Sequence, residues 1–124
     1  MNRRSFLKGL LFISSIFTLK LTSSSKNNIS FDYGVASGDP TNTNIILWTR
    51  ATPSINKNFQ IEWELSSDIN FKNILNSGTA FAKYSNDFTV KVDAIVPNAY
   101  RGKQVFYRFF TNNTYSEIGI TKTL

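Results

Sequence analysis

The chain has 124 residues, with 14 Lys or Arg, eight Asp or Glu, and a formal net charge of +6. It contains no His and no Cys, which excludes a Ser-His-Asp or Cys-His catalytic unit, a zinc site of the usual ligands and a disulfide framework. With 41% hydrophobic residues, it is apolar and long enough for one domain with a modest core.

Residues 1–25 are predicted to form a cleavable export signal. A basic segment precedes an apolar run, Leu10 to Leu19, which is shorter than the roughly 20 residues that span a bilayer. Small residues follow at positions 22–25, as signal peptidases prefer. We therefore predict an exported protein, in the periplasm, at the cell surface or secreted, without a stable membrane span after cleavage.

The basic segment resembles a twin-arginine translocation signal, whose pattern is a polar residue followed by R-R-x-F-L-K. Asn2 stands in the polar position, and the five matching residues are Arg3, Arg4, Phe6, Leu7 and Lys8. This resemblance implies that the twin-arginine translocation machinery is a partner.

Most of the positive charge also belongs to this segment. Residues 1–25 hold four basic residues and no acidic one, and the ten later basic residues are spread along the chain. Because nucleic-acid-binding domains cluster basic residues on one face, we predict no nucleic-acid partner.

Residues 26–30 are predicted to be a linker and residues 31–124 a β-sandwich. Apolar and polar residues alternate strictly in Phe59–Ser66 and Phe88–Ala94, which places one set of side chains on a buried sheet face. Residues 45–49 and 105–110 are apolar on both faces, as expected of strands that are covered on both sides or lie at an interface.

Weaker strands are predicted at residues 31–35, 74–81 and 115–121, and one helical turn at residues 68–73. About seven short strands without a sustained helical period predict an all-β, immunoglobulin- or fibronectin-III-like sandwich. Glu62 and Glu64 share the outward face of one strand and are interpreted as solvated charges. No spacing of carboxylates predicts a catalytic pair or a calcium site.

The most distinctive string runs from Gly34 to Pro40 and includes Ser37, Gly38 and Asp39. It predicts a strand end followed by a turn, with Gly38 at positive φ and Asp39 accepting backbone N–H groups before Pro40 forms the corner. A cation or phosphate cradle is less favoured because no Gly-Lys-Ser/Thr sequence and no helix follow.

Trp48 and Arg50 are two residues apart in a predicted strand and should share one face. Arg50 is placed to bind a carboxylate such as Asp39, or to stack on an aromatic ring. A structural ion pair and a patch that docks another domain both remain open interpretations.

Taken together, these strings resemble the N-terminal region of PhoD-like alkaline phosphatases. The matching segments are Phe31–Pro40, Ile46–Arg50 with Pro53, Trp63-Glu64 with Asp68 and Phe71, Ser77-Gly78, Asp87–Val92, and Phe106–Phe109 with Tyr107 and Arg108. One departure, Val105 where the family usually has Tyr, leaves open whether Tyr107 forms a tyrosine corner.

The resemblance implies an immunoglobulin-like domain that packs against a following metallophosphoesterase domain. In the family, that second domain hydrolyses phosphate mono- and diesters and binds iron and calcium. The sequence therefore predicts a non-catalytic N-terminal domain of an exported enzyme, as a fragment or truncated product, with no catalytic residue, metal ligand or cofactor of its own.

Two alternatives remain. One is a free-standing exported module that binds a protein or glycan through its sheet edge or a surface of Trp48, Arg50, Phe106 and Phe110. The other is a residual hydrolase that uses carboxylates alone.

Overall fold

A computed structural model describes residues 26–124; the predicted export signal lies outside the described residues. The strands are β1 (Ile29–Ser30), β2 (Val35–Gly38), β3 (Asn44–Arg50), β4 (Thr52–Pro53), β5 (Phe59–Ser66), β6 (Ile74–Ala82), β7 (Thr89–Ile95), β8 (Val105–Thr111), β9 (Thr114–Tyr115) and β10 (Gly119–Thr121). Two single-turn 3-10 helices occur at Tyr84–Asn86 and Asn98–Tyr100. Within residues 26–124 no helix has the length and apolarity to cross a membrane.

The strands form two antiparallel sheets, which confirms the predicted all-β sandwich. One sheet has the order β2-β3-β7, and the other has the order β10-β8-β5-β6, with β9 paired to the end of β8. A small ribbon joins β1 to β4. Side chains from both sheets meet in one core, as expected when each sheet buries one face.

The predicted alternation in β5 and β7 is confirmed. Ile61, Trp63 and Leu65 point from β5 into the core, and Val90 and Val92 point into it from β7. Because the side-chain period of a strand is two, the local sequence pattern is sufficient to select the buried faces.

The strands β3 and β8, whose sequences are apolar on both faces, each bury only one face. In β3 and β8 the residues alternate between buried and half-buried. The described residues therefore cover neither strand on both sides, and the prediction that these strands lie at an interface stays a prediction.

Three local predictions differ from the structure. The strand predicted at residues 31–35 is wrong, because residues 32–33 form a turn and β2 begins only at Val35. Gly34 has a φ of +75°, and its carbonyl accepts a hydrogen bond from Thr49 Oγ1 at 2.9 Å. The strand predicted at residues 115–121 is divided into β9 and β10.

The helical turn predicted at residues 68–73 is also wrong. The Asp68 carboxylate accepts hydrogen bonds from the backbone N–H groups of Asn70, Lys72 and Asn73, at 2.9 to 3.2 Å. Because a side chain satisfies these donors, the backbone forms a turn with one bond, from the Phe71 N–H to the Asp68 carbonyl at 3.1 Å, instead of a helix.

Side chains link the two sheets at both edges of the sandwich. Ser37 Oγ in β2 donates to Thr121 Oγ1 in β10 at 2.9 Å. At the other edge, Asn76 Nδ2 in β6 donates to the Ile95 carbonyl in β7 at 3.0 Å. These bonds hold the edge strands of one sheet beside those of the other.

Candidate functional site

The Gly34–Pro40 string forms an edge strand and a turn, but its left-handed residue is not the predicted one. Asp39 has a φ of +47°, whereas Gly38 still pairs with Ile46 in the β2-β3 ladder. The strand extends through Gly38, so the reversal occurs one residue later than predicted.

Asp39 also does not accept the expected backbone hydrogen bonds from within residues 26–124. Thr41 takes that role, because its hydroxyl accepts the N–H groups of Thr43 and Asn44 at 3.2 and 2.9 Å. The Gly34–Pro40 segment is thus a structural strand and turn, and its part in a domain interface stays a prediction.

Arg50 binds Asp87 and not the predicted Asp39. Its Nη2 lies 3.1 Å from Asp87 Oδ1, its Nε donates to the Asp87 carbonyl at 3.0 Å, and its Cζ lies 4.8 Å from the Tyr33 ring centroid. The register explains the difference, because β2 runs antiparallel to β3 and places Asp39 near the start of β3 while Arg50 ends it. The hydrogen bond to Asp87 raises the pKa of Arg50, as expected when a carboxylate stabilises the charged form.

The predicted side-by-side placement of Trp48 and Arg50 is confirmed. Both are half-buried and face away from the core on β3, opposite to Leu47 and Thr49. Phe106 and Phe110 face outward from β8 in the other sheet. The four residues of the alternative binding surface therefore lie on opposite outer faces and do not form one surface.

Arg108 is the centre of a charged and aromatic cluster on the outer face of β8. Its Nε lies 2.7 Å from Glu64 Oε1, and its Cζ lies 4.1 Å from the Phe71 ring centroid and 4.4 Å from the Tyr115 ring centroid. The guanidinium is thus in cation–π contact with two rings as well as paired with a carboxylate.

This cluster corrects the interpretation of Glu64 as a solvated charge. The Glu64 side chain is only 15% exposed, because Arg108 is directly opposite it in the β5-β8 ladder and Phe71 folds onto the same guanidinium. The resemblance named each of these residues, but only the cross-strand register shows that they meet.

Tyr107 points the opposite way, into the core, with 2% of its surface exposed. Burial raises the pKa of Tyr107, while its contact with the Ser37 hydroxyl opposes that shift. Tyr107 thus packs in the core between the two sheets, whereas a tyrosine corner is defined by a hydroxyl bond to backbone a few residues upstream.

Five carboxylates in the described part of the chain have structural partners. Glu64 and Asp87 pair with arginines, Asp68 binds backbone N–H groups, and Asp32 and Asp93 accept hydrogen bonds from Ser30 and Asn44. No group of three or more Asp or Glu side chains in residues 26–124 is arranged to hold a metal ion. We derive no chemical step through iron or calcium from the described residues.

Comparisons with known proteins agree with this architecture. The profile of a family described as "PhoD-like phosphatase, N-terminal domain" matches residues 18–124. Alkaline phosphatase D of Bacillus subtilis (strain 168) is 33% identical over 126 residues, a match that covers 94% of this chain and 21% of that protein.

A solved structure described as "Structure of PhoD" superposes with a TM-score of 0.72 and 34% sequence identity. The superposition covers 82% of this chain and 20% of that one, so the chain spans about a fifth of the length of the proteins it matches. The chain belongs to the PhoD-like phosphatase N-terminal domain family.

Proposed function

We propose that this chain is the non-catalytic N-terminal domain of a PhoD-like alkaline phosphatase and packs against the metallophosphoesterase domain of that enzyme. The observation that carries this proposal is the family match over residues 18–124, together with a superposition on PhoD that accounts for 20% of that chain. The proposal assigns phosphoester hydrolysis, iron and calcium to the second domain. The role of this domain is then to support the second one.

A domain exchange tests this function. Residues 26–124 would replace the matching segment of B. subtilis alkaline phosphatase D, and hydrolysis of p-nitrophenyl phosphate would be measured with iron and calcium present. We expect the chimera to retain activity and the 124-residue chain alone to show no turnover.

Two results would contradict the proposal. The first is turnover of the ester by the chain alone, which would support the carboxylate-only hydrolase. The second is a chimera in which the sandwich is folded but the catalytic portion is inactive and unfolds independently, which would favour the free-standing binding module.

We further propose that the chain is exported through the twin-arginine route. The support is the sequence of residues 2–8, in which five positions match the signal pattern. The test fuses residues 1–25 to a fluorescent reporter and compares the double variant Arg3→Lys/Arg4→Lys with the control Lys20→Arg. We expect only the double variant to retain the reporter in the cytoplasm; equal export of all three fusions would refute this route.

A further inference from the structure

The outer face of the five-stranded sheet has a mainly apolar half and a mainly polar half. The apolar half, here called the β8–β10 face, consists of the outward side chains of Phe106, Arg108, Phe110, Tyr115 and Ile120. Ile120 is 57% exposed and Tyr115 is 51% exposed. A sheet face in contact with solvent normally carries polar side chains, whereas four of the five side chains of this half are apolar or aromatic.

The other half of this face is more polar. Glu62 in β5 and Ser77 and Thr79 in β6 are exposed, and Glu62 pairs directly with Thr79 across the ladder. Two apolar residues of β6, Ile74 and Phe81, are also exposed, at 42% and 59%. The outward apolar side chains that lie opposite one another across strand pairs are those of β8, β9 and β10. A contiguous exposed apolar patch on a soluble domain indicates an interaction surface.

The β8–β10 face is also held in place before any partner binds. The Tyr115 ring stacks on Phe110 with centroids 5.2 Å apart and planes inclined by 22°. The Arg108 guanidinium lies over the Tyr115 ring, with its Cζ 4.4 Å from the ring centroid, and is held there by its ion pair with Glu64. Rigid aromatic and arginine side chains lose little conformational entropy on binding and are enriched at the centres of protein interfaces.

Charge argues for a protein partner with an apolar surface. The Arg108 guanidinium is neutralised by Glu64 at 2.7 Å, and the other members of the face carry no charge. Nucleic acids and anionic membranes are bound mainly through unpaired basic residues, which this face does not present.

The position of the face along the chain favours the sequence that follows this domain as the partner. The family description places this domain N-terminal to the rest of a phosphatase, so the following sequence leaves the domain after β10. Ile120 in β10 lies directly opposite Phe106. The segment after β10 is anchored, because Thr123 Oγ1 accepts the Gly102 N–H at 2.8 Å and the Leu124 N–H donates to the Thr41 carbonyl at 3.0 Å.

From these observations we infer that the β8–β10 face is the surface on which the catalytic portion of a PhoD-like phosphatase docks. This inference rests on the proposed function and adds to it the side of the sandwich that is covered. The three-stranded sheet, with Trp48 and Arg50, is then left facing solvent.

The chain offers a matched pair of variants for the test. Ile120→Glu introduces a charge on the β8–β10 face, and Ile95→Glu introduces the same charge on β7 of the other sheet. The two isoleucines are 57% and 54% exposed, so we expect neither variant to lower the unfolding temperature of the 124-residue chain. If Ile120→Glu does lower it, Ile120→Ser replaces it in the comparison.

Each variant is then placed in the B. subtilis chimera, and calorimetry follows the unfolding of its two parts. We expect the unmodified chimera and Ile95→Glu to unfold in one transition, and Ile120→Glu to unfold in two. Hydrogen exchange gives a second measure, because the amides of residues 119–121 should exchange several-fold more slowly in the chimera than in the chain alone.

The outcomes separate this inference from the proposed function. An active chimera that unfolds in one transition even with Ile120→Glu overturns the inference alone, as does separation of the transitions by Ile95→Glu. If the chimera without substitutions is inactive and its two parts unfold in separate transitions, both the proposed function and the inference are overturned. Analytical ultracentrifugation of the isolated chain gives a third outcome. If the chain is a dimer and Ile120→Glu makes it a monomer, a second copy of the chain is the partner, and the inference is overturned.

Discussion

The ring of Tyr107 occupies the space beside Gly119, its cross-strand neighbour in β10. A Cβ atom on Gly119 would lie 2.2 Å from Tyr107 Cζ and 2.6 Å from its hydroxyl oxygen. Trp63 has the same relationship with Gly78 in β6, where a Cβ would lie 2.9 Å from Trp63 Nε1. In both pairs an aromatic ring from an inner strand covers a glycine in an edge strand, which anchors β10 and β6 at the two edges of the five-stranded sheet.

Replacement of Gly119 by Ala should destabilise the domain by about 3 kcal/mol, at the upper end of overpacking costs. The buried Tyr107 ring has no space into which it can move, since Tyr107 is 2% exposed. Gly38→Ala is the control, because nothing lies within 4 Å of a Cβ at that position in β2. Urea denaturation of both variants checks the prediction, and equal stability of the two would contradict it.

Ser116→Ala should cost about 1 to 3 kcal/mol, the usual penalty for a buried polar group that loses its partner. Ser116 Oγ accepts the Phe109 N–H at 2.9 Å and donates to the Glu117 carbonyl at 2.8 Å. Ser116 lies in the segment between β9 and β10, the two strands that both pair with β8. Thermal unfolding of Ser116→Ala would be compared with that of Thr114→Ala, an exposed position. A penalty no larger than for the control would show that water replaces the hydroxyl.

Arg108→Met should destabilise the domain by about 2 kcal/mol, since it removes two cation–π contacts and leaves Glu64 unpaired. Adding Glu64→Gln should recover part of this loss, because the double variant no longer contains an unpaired carboxylate. A double-mutant cycle measured by chemical denaturation gives the coupling, which we expect to be about 1 to 2 kcal/mol. Additive effects would mean that the two side chains act independently.

We expect Asp68 to make the free energy of unfolding of the domain decrease in acid. Its hydrogen bonds, led by the one from the Asn73 N–H, lower the pKa of Asp68 below the ordinary value of 3.8. Because the pKa of Asp68 is lower in the folded chain than in the unfolded chain, the Asp68 carboxylate stabilises the domain at pH values above its unfolded-state pKa. This stabilisation is lost as the pH falls through its folded-state pKa.

Asp68→Asn should therefore lower the unfolding temperature at pH 7, and the difference from the parent chain should shrink as the pH falls below about 4. Thermal unfolding of both proteins between pH 2.5 and 7 measures it. Asp39→Asn is the control, because no backbone N–H in the described region binds that carboxylate. A difference between parent and Asp68→Asn that is constant with pH would exclude this linkage.

The sequence by itself determined the fold class and the buried faces of the central strands. Alternation in Phe59–Ser66 and Phe88–Ala94 is a local property, because successive side chains of a strand point to opposite faces whatever the strand pairs with. The Gly34–Pro40 and Leu47–Arg50 strings were likewise sufficient to indicate the family that the profile match confirmed.

Only the tertiary structure decided which charged residues pair. Arg108 and Glu64 are 44 residues apart, and Arg50 and Asp87 are 37 apart. Their contacts depend on the register of strands brought together by folding, which no local pattern encodes. The same holds for Gly119 and Tyr107, since the close approach of a backbone to a ring is a property of packed strands and is invisible in either segment alone.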